Sequence, residues 1–383
     1  KGKLRSPDIM TISSGGLKFK MPDNELTTWS SKWSLRPYAD YAQTTMDGVA
    51  NKGRKFLAYN FAIIDDTAYF VDDNNSASEV QCLYSINLVN KQVTVLAGTG
   101  KAESTRPDGV GTSAGFWYPR YVYLDSTKEN IYISSNQNTP IRKYNIATGQ
   151  VSTVNHTQSS KVKWIQVIGN NLYYVDHQNK LTKRDMTTDT ESYIAEGLDR
   201  TDAGPLLVDK NEKFAYVYTY NYGYCIRKID LTAGTEEIIA GIEGQGGAVD
   251  GALGVSKVSN LASMIFDEDE KYIYWTERGH DSIRRIELAT NIVSTIFGDL
   301  TSQQAVPTDE SVTNPYGIAF HGDDLLISDY YNFRIIQSPK GPYWDREPIT
   351  DADKVSVKYT KSTTVSQNII SEIGGIVVNS FHY

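Results

Sequence analysis

Short apolar segments recur along the chain, separated by polar turns. Six of them have the same form, a short apolar or aromatic strand. They are residues 68–72, 130–134, 171–176, 214–218, 272–276 and 324–329. Their spacing of roughly 40–60 residues is typical of the repeats in propeller proteins.

Other strands flank each copy in a constant order. An apolar strand such as 121–124 or 317–320 precedes it, and a strand of alternating apolar and polar residues such as 141–144 follows it. Five copies also have a clear fourth strand, for example 93–96. Because four antiparallel strands repeated around an axis form a propeller, the pattern predicts an all-β fold, a six-bladed β-propeller of four-stranded antiparallel blades.

The stretch 97–154 carries a set of motifs in a defined order. They are a Gly-rich loop with Asp108 and Gly109, then Phe116, then Pro119, then a strand with Arg142 and Lys143. This order resembles the NHL repeat, and the segment 314–335 has a similar pattern. The segment 274–277, with Trp275 at its centre, is similar to the YWTD repeat of receptor propellers. The resemblance implies a six-bladed propeller like those of bacterial surface and secreted NHL-repeat proteins.

The chain ends are less regular than the repeats. We interpret residues 1–45 as an N-terminal linker with a ring-closing outer strand, 46–338 as six NHL-like blades, and 339–383 as an irregular C-terminal insertion with a terminal strand. The outer strand of the last blade is either 29–35 or 376–379. We favour the N-terminal segment, because pairing the two chain ends removes the open edge that a ring would otherwise leave.

Antiparallel connectivity sorts the loops into two faces, since alternate strands of a blade run in opposite directions. Turns such as 125–129 and 267–271 are short and charged, and they lie on one face. The loops between blades, and those after the second strand of each blade, lie on the opposite face and are aromatic. The candidate ligand-binding residues there are Trp117, Tyr118, Arg120, Trp164, Tyr220, Tyr222, Tyr316, Tyr330 and Tyr331.

Aromatic groups among amides and arginines suit a sugar or peptide ligand, because a flat apolar ring covers the ligand while polar groups orient it. The alternative is that each ring only packs between blades or joins neighbouring loops. The net charge of −8 and the pI near 5.3 argue against a nucleic-acid partner. No apolar run approaches the ~20 residues that span a bilayer.

Catalytic signals are weak. The five histidines occur singly, without metal-ligand spacing. Asp108-Gly109 and Asp250-Gly251 have oxygens that suit Ca²⁺, but such dipeptides also form ordinary turns. We therefore expect no catalytic residues, no metal site and no cofactor.

Two classes of function remain. The first is a non-catalytic binding or interaction module, a monomer that holds a glycan or a protein on its aromatic face. It would be extracytoplasmic, periplasmic or at the surface of a bacterial cell. The alternative is a propeller hydrolase or lyase with a divalent metal in the channel. Asn60, Asn260 and Asn314, near the starts of inner strands, are the residues that keep this alternative open.

The two cysteines stand at the same repeat position. Cys82 and Cys225 each come just before the core of a third strand. In a six-bladed ring their blades lie opposite each other, much farther apart than the ~7 Å between Cα atoms that a disulfide tolerates. We therefore expect two free thiols.

Overall fold

The computed structural model describes most of the central part of the chain and a few N-terminal strands. The described residues are 9–13, 16–20, 26–28, 34–37, 45–46, 49–50, 58–72, 81–90, 92–100, 104–135, 139–154, 162, 164–175, 180–195, 203–220, 223–298, 300, 312–329 and 332–337. The chain divides into two compact units, Lys1–Ser34 with Ser338–Tyr383, and Leu35–Gln337. The insertion expected at 339–383 lies outside the described residues.

The first unit contains one described sheet. Its strands are β1 (Ile9–Ser13), β2 (Gly16–Lys20) and β3 (Leu26–Thr28), in the order β1-β2-β3. Both pairings are antiparallel.

The second unit is an all-β propeller of small antiparallel sheets. Its first strand is β4 (Ser34–Pro37), which starts one residue before the boundary of the unit. A two-stranded ribbon of β5 (Thr45–Met46) and β6 (Val49–Ala50) follows. Blade 1 follows, with β7 (Ala62–Ile64), β8 (Thr67–Val71), β9 (Leu83–Asn87) and β10 (Val93–Ala97) in sequential order.

Blades 2 to 5 repeat this order of four strands, and the innermost strands are β12, β16, β20 and β24. Blade 2 has β11 (Gly109–Val110), β12 (Pro119–Leu124), β13 (Asn130–Ser135), β14 (Ile141–Asn145) and β15 (Gln150–Val154), and β11 extends it beyond β15. Blade 3 has β16 (Ile165–Ile168), β17 (Asn171–Val175), β18 (Leu181–Asp185) and β19 (Thr190–Ala195). Blade 4 has β20 (Ala203–Val208), β21 (Phe214–Thr219), β22 (Cys225–Asp230) and β23 (Glu236–Gly241). Blade 5 has β24 (Leu261–Phe266), β25 (Tyr272–Glu277), β26 (Ser282–Glu287) and β27 (Ile292–Phe297).

The last sheet joins the two ends of the second unit. Its strands are β28 (Pro315–His321), β29 (Asp324–Asp329) and β30 (Asn332–Gln337), and β4 lies next to β30 as the outer strand. The outer strand therefore overlaps the N-terminal segment 29–35 and begins at Ser34. The alternative segment, 376–379, lies outside the described residues. Two short 3₁₀ helices, Gly111–Ser113 and Arg278–His280, lie in loops.

The apolar core lies between neighbouring sheets rather than inside any one of them. Phe116 and Ile131 of blade 2 pack in one cluster with Val71 and Leu83 of blade 1. Every residue of β13 is buried, because a middle strand has a neighbouring sheet against each of its faces. Each sheet thus has two apolar faces and depends on both neighbours to cover them.

The last sheet is packed on both sides in the same way. Leu326 shares a core cluster with Phe70 and Tyr84 of blade 1. On the other side, the ring of Phe320 lies 5.1 Å from the ring of Tyr274 in blade 5, centroid to centroid. The sheet of β28, β29, β30 and β4 therefore fills the space between the first and fifth blades.

The charged turns have one repeated geometry. In blade 2, Asp125 Oδ1 accepts from the backbone N–H of Glu129 at 3.0 Å, and in blade 4, Asp209 Oδ1 accepts from that of Lys213 at 2.9 Å. The residue three positions after each aspartate, Lys128 or Glu212, has a positive φ of 59° or 52°. These turns are closed by their own aspartates, as Asx turns are.

The Asp-Gly loops bind a strand arginine. Asp108 Oδ1 accepts from Arg142 Nη2 at 2.8 Å and from Thr153 Oγ1 at 2.9 Å in blade 2. Blade 5 repeats the arrangement, with Asp250 Oδ1 accepting from Arg284 Nη2 at 3.1 Å and from the Thr295 hydroxyl at 3.0 Å. In both blades the aspartate ties the loop to the third and fourth strands of the same sheet.

Cys82 and Cys225 form no disulfide, as predicted, and both are buried. Each faces a glycine at the end of the fourth strand of its blade: Gly98 follows β10, and Gly241 is the last residue of β23. A Cβ on Gly98 would lie 2.8 Å from Cys82 Sγ, and one on Gly241 would lie 3.1 Å from Cys225 Cα. Glycine is required at both places, because φ is also positive there, 119° and 89°.

We predict that Gly241→Ala destabilises the propeller by about 3 kcal/mol or more, since it combines left-handed strain with a clash. The added Cβ would lie 2.2 Å from the carbonyl oxygen of Tyr224. Gly254→Ala is the control, because Gly254 has a φ of 83° but nothing within 4 Å of its Cβ position. Strain alone predicts a loss of about 1–2 kcal/mol there. Equal losses for the two variants in urea unfolding would contradict the packing argument.

Candidate functional site

The strand registers bring the inter-blade loops and the ends of the second strands to one face. Pro119 pairs with Ser135 in blade 2, Leu261 with Glu277 in blade 5, and Pro315 with Asp329 in the last sheet. The start of each inner strand therefore lies beside the end of its second strand. This is the face that the loop argument assigned to the aromatic residues.

Aromatic rings from four sheets form a continuous row at this end of the channel. The Trp164 ring lies 4.3 Å from Tyr121, Tyr121 lies 5.6 Å from Tyr59, and Tyr59 lies 4.7 Å from Tyr316, all between centroids. These residues belong to blades 3, 2 and 1 and to the last sheet. Arginines stand beside the row.

The guanidinium of Arg120 lies over the ring of Tyr59, with Cζ 4.2 Å from the centroid, and Nη2 donates to the Tyr59 hydroxyl at 3.0 Å. The guanidinium of Arg278 lies over Tyr316 at 4.1 Å, and its Nε donates to Asn314 Oδ1 at 2.8 Å. We call Arg120, Tyr59, Tyr316 and Arg278 the arginine–tyrosine column.

Tyr220 belongs to the same end of the propeller. It packs edge-on against Tyr218 at 4.8 Å, and its hydroxyl donates to the carbonyl oxygen of Leu261. The hydroxyl of Tyr218 accepts from the Asn260 backbone N–H at 2.9 Å. These contacts join blade 4 to blade 5 and partly cover Tyr220.

The nine predicted site residues have different surroundings. Trp164 and Tyr316 are only 8% and 7% exposed. Their rings are therefore mostly covered by neighbouring side chains and leave little surface for a ligand. Trp117, Tyr118, Arg120 and Tyr220 are half-buried. The other three, Tyr222, Tyr330 and Tyr331, lie outside the described residues.

Tyr118 has an unusual backbone. Its φ is 49°, a left-handed conformation that bulky residues rarely adopt. Asn260 and Asn314, which also precede inner strands, have φ values of 51° and 50°. Asparagine tolerates this conformation well. The position before the inner strand therefore favours asparagine, but blade 2 has Tyr118 there. The Tyr118 ring packs edge-on against Trp117 at 5.1 Å.

Sequence reasoning missed Tyr59, Tyr121 and Arg278. The signal was present in the repeat. In each of three sheets, the register between the first and second strands gives every residue in or just before the first strand a repeat position. Tyr59, Arg120 and Tyr316 share one such position. Three neighbouring sheets therefore place an aromatic or cationic side chain at one repeat position.

Below the row, the channel is narrow and largely apolar. It contains a cavity of about 260 Å³ to which all the inner strands contribute. The lining includes Phe61, Val122, Gln166, Leu206, Met264 and Ile318. A small cavity with few polar groups offers little to orient a polar ligand, so recognition of such a ligand falls to the loop end.

Two of the three asparagines that keep a metal site open, Asn60 and Asn314, are engaged through their side chains. Asn60 Oδ1 accepts from the Val122 backbone N–H at 2.8 Å, and its Nδ2 donates to the Val122 carbonyl at 2.6 Å. Asn60 thereby bonds blade 1 to blade 2, and Asn314 holds Arg278. Among the residues that the structure describes, no three His, Cys, Asp or Glu side chains come together as a metal site.

The carboxylates near this end of blade 5 point inward. Glu277 is fully buried, and its Oε2 accepts from Arg284 Nη1 at 2.7 Å, while Asp281 Oδ1 accepts from the backbone N–H of Asn314 at 2.7 Å. Burial raises the pKa of Tyr121 well above its ordinary value, although Arg120 acts in the opposite direction. Tyr121 therefore stays neutral and does not offset the arginine charge.

Comparison with known proteins supports the fold. No family model matches the chain, so the resemblance to NHL repeats is not confirmed at the level of a family. No curated protein matches it either. Among solved structures, a protein of unknown function from Bacteroides thetaiotaomicron has a TM-score of 0.61 at 16% identity, over 84% of this chain and 82% of that one.

Two further structures are auxiliary nutrient binding proteins. One is from Bacteroides thetaiotaomicron, with a TM-score of 0.57 at 15% identity over 85% of this chain and 84% of the other. The second is from Bacteroides ovatus, with a TM-score of 0.57 at 16% identity over 84% and 82%. These likenesses show a shared fold. Within the described residues, no helix is long and apolar enough to cross a bilayer.

We predict that Tyr118→Asn raises the free energy of unfolding by about 1 kcal/mol, because asparagine relieves the left-handed strain. Tyr193→Asn is the control, since Tyr193 is an exposed tyrosine whose φ is not positive. There the same replacement should leave stability unchanged or slightly lower it. A Tyr118→Asn protein that is less stable than Tyr193→Asn in urea unfolding would contradict the strain argument.

Proposed function

We propose that this propeller is a non-catalytic binding module that holds its ligand at the aromatic loop face. The observation that carries the proposal is the group of half-buried aromatic and arginine side chains around one end of the channel. Trp117, Tyr118, Arg120 and Arg278 all retain accessible surface there. Such groups bind ligands through ring faces and in-plane hydrogen-bond donors, with no need for a reactive centre.

The ligand class that fits best is a glycan. Peptides commonly bind as an added strand at a free sheet edge or as a helix in an apolar groove. The described part of this face has loop side chains instead, and flat rings beside polar groups suit saccharides. The neighbours described as nutrient binding proteins support a role in ligand capture. We further propose a bacterial protein that works outside the cytoplasm as a monomer.

We infer that the ring has six blades, with the last sheet as the sixth. The support is its position between blade 1 and blade 5, and the contribution of its Ile318 to the channel lining. Blade 6 would then close the ring through β4, which pairs the N-terminal part of the propeller with its final strand.

Hydrogen exchange tests this closure. Alternate backbone amides of Ser34–Pro37 should bond to β30, so we predict at least one amide there to exchange more than about a hundredfold slower than an unstructured peptide. Full-length protein is used, and the loop residue Gly254, which is exposed, serves as the fast-exchanging reference. Unprotected exchange throughout this segment would overturn ring closure by β4.

A glycan array followed by calorimetry tests the binding role. For a saccharide that binds wild type, we predict that Trp117→Ala weakens affinity by about tenfold or more, since stacking on an aromatic ring is lost. Tyr193→Ala is the matched control, because Tyr193 is an exposed tyrosine on the outer strand β19. It should not change affinity. Equal effects of the two variants would place the ligand elsewhere and contradict the proposal.

A further inference from the structure

We propose that the arginine–tyrosine column selects a saccharide that carries carboxylate groups, such as an oligomer of uronic acid. This inference rests on the proposed binding function and specifies its ligand. The column runs from Arg120 across the rings of Tyr59 and Tyr316 to Arg278, and it draws on four different sheets. It therefore exists only in the assembled ring.

The geometry leaves Arg278 able to bind an anion. A guanidinium that rests on an aromatic ring uses its face, and its N–H groups lie in the plane around the edge. Arg278 bonds only through Nε, to Asn314, among the hydrogen bonds of the described residues, so Nη1 and Nη2 remain as donors. A carboxylate accepts two parallel hydrogen bonds from such an edge.

Local charge also favours an anion, against the net charge of −8 for the whole chain. The column has two guanidinium groups and two tyrosine rings. The nearby carboxylates of Glu277 and Asp281 are buried and bonded inside the protein. Within the described part of this face, the carboxylates of Glu277, Asp281 and Asp329 are buried, whereas Arg120 and Arg278 are half-buried.

Two features favour a saccharide as the carrier of the carboxylate. The half-buried pair Trp117 and Tyr118 directly precedes the strand that contains Arg120, so apolar ring surface lies close in the chain to one guanidinium. Two cationic groups separated by two rings also suit a ligand with repeated carboxylates along a chain. An oligouronate has both properties, a C–H face on each ring and one carboxylate per residue.

Calorimetry with trigalacturonate tests the proposal, with neutral galactotriose as the paired ligand. We expect wild type to bind the acidic sugar at least about tenfold more tightly at low salt, and the difference to shrink in ~0.5 M NaCl. Arg120→Gln and Arg278→Gln should each weaken trigalacturonate binding by about tenfold. Arg278→Lys, which keeps the charge but loses the planar edge, should fall between wild type and Arg278→Gln.

Arg285→Gln is the matched control. Arg285 also lies over a tyrosine, Tyr272 at 4.4 Å, but it sits on β26 and bonds to Tyr274 within the blade. This variant should bind like wild type. Thermal unfolding of every variant checks that the ring is intact, and Arg278→Lys keeps the test valid if Arg120→Gln does not fold.

The outcomes separate this inference from the proposed function. Equal affinity for the two sugars, with binding still sensitive to Trp117→Ala, would overturn the selection of carboxylates and leave the binding role standing. If the protein binds a hepta-glutamate peptide but does not bind trigalacturonate, the assignment of a saccharide ligand is overturned. If neither the sugars nor the peptide bind, and the glycan array is also empty, both proposals fail.

Discussion

The structure depends on one constraint: a blade has two apolar faces and cannot cover either of them by itself. Each face is covered by the next sheet, so the core consists of a series of inter-blade layers. The hydrophobic effect that stabilises any one blade is therefore shared with both neighbours. Polar contacts follow the same logic. The Oδ1 and Nδ2 atoms of Asn60 both hydrogen-bond to the backbone of Val122 in the next blade. Between blade 5 and the last sheet, Thr276 Oγ1 donates to the Tyr316 carbonyl oxygen at 2.7 Å.

Because of this constraint, the fold could be predicted from the sequence in considerable detail. Strands that are buried on both faces must be apolar, and their turns must be polar, so the blade period is visible in the chain itself. The second strand 130–134 and its turn 125–129 were located correctly. Ile131 and Ile133 are buried between sheets, whereas Asp125 hydrogen-bonds within the turn, so the apolar and polar residues mark the two segments. The position of the two cysteines followed from the same period.

The binding face was less predictable. Choosing the face required only strand direction, but the environment of each ring depends on how side chains from different blades meet. Trp164 and Tyr316 are aromatic loop residues by sequence and interior residues by packing. Arg278 was overlooked because its significance comes from Tyr316, 38 positions later, and no local pattern links the two residues. To recognise from the sequence that Tyr59, Arg120 and Tyr316 share one repeat position, the exact turn positions must be known. The boundaries of short strands cannot be predicted that closely.

The burial of Cys225 has a consequence for the chemistry that the propeller tolerates. Burial is the main cause that raises the pKa of this thiol to about 11, so at neutral pH only about one molecule in ten thousand carries the thiolate. The thiolate is the nucleophile that reacts with oxidants and attacks disulfides, so this residue is protected from both reactions while the sheet is intact. The sulfur also donates to the carbonyl oxygen of Gly223 at 3.1 Å, inside the same blade. Cys225 is thereby kept from forming a crosslink for as long as the blade around it stays folded.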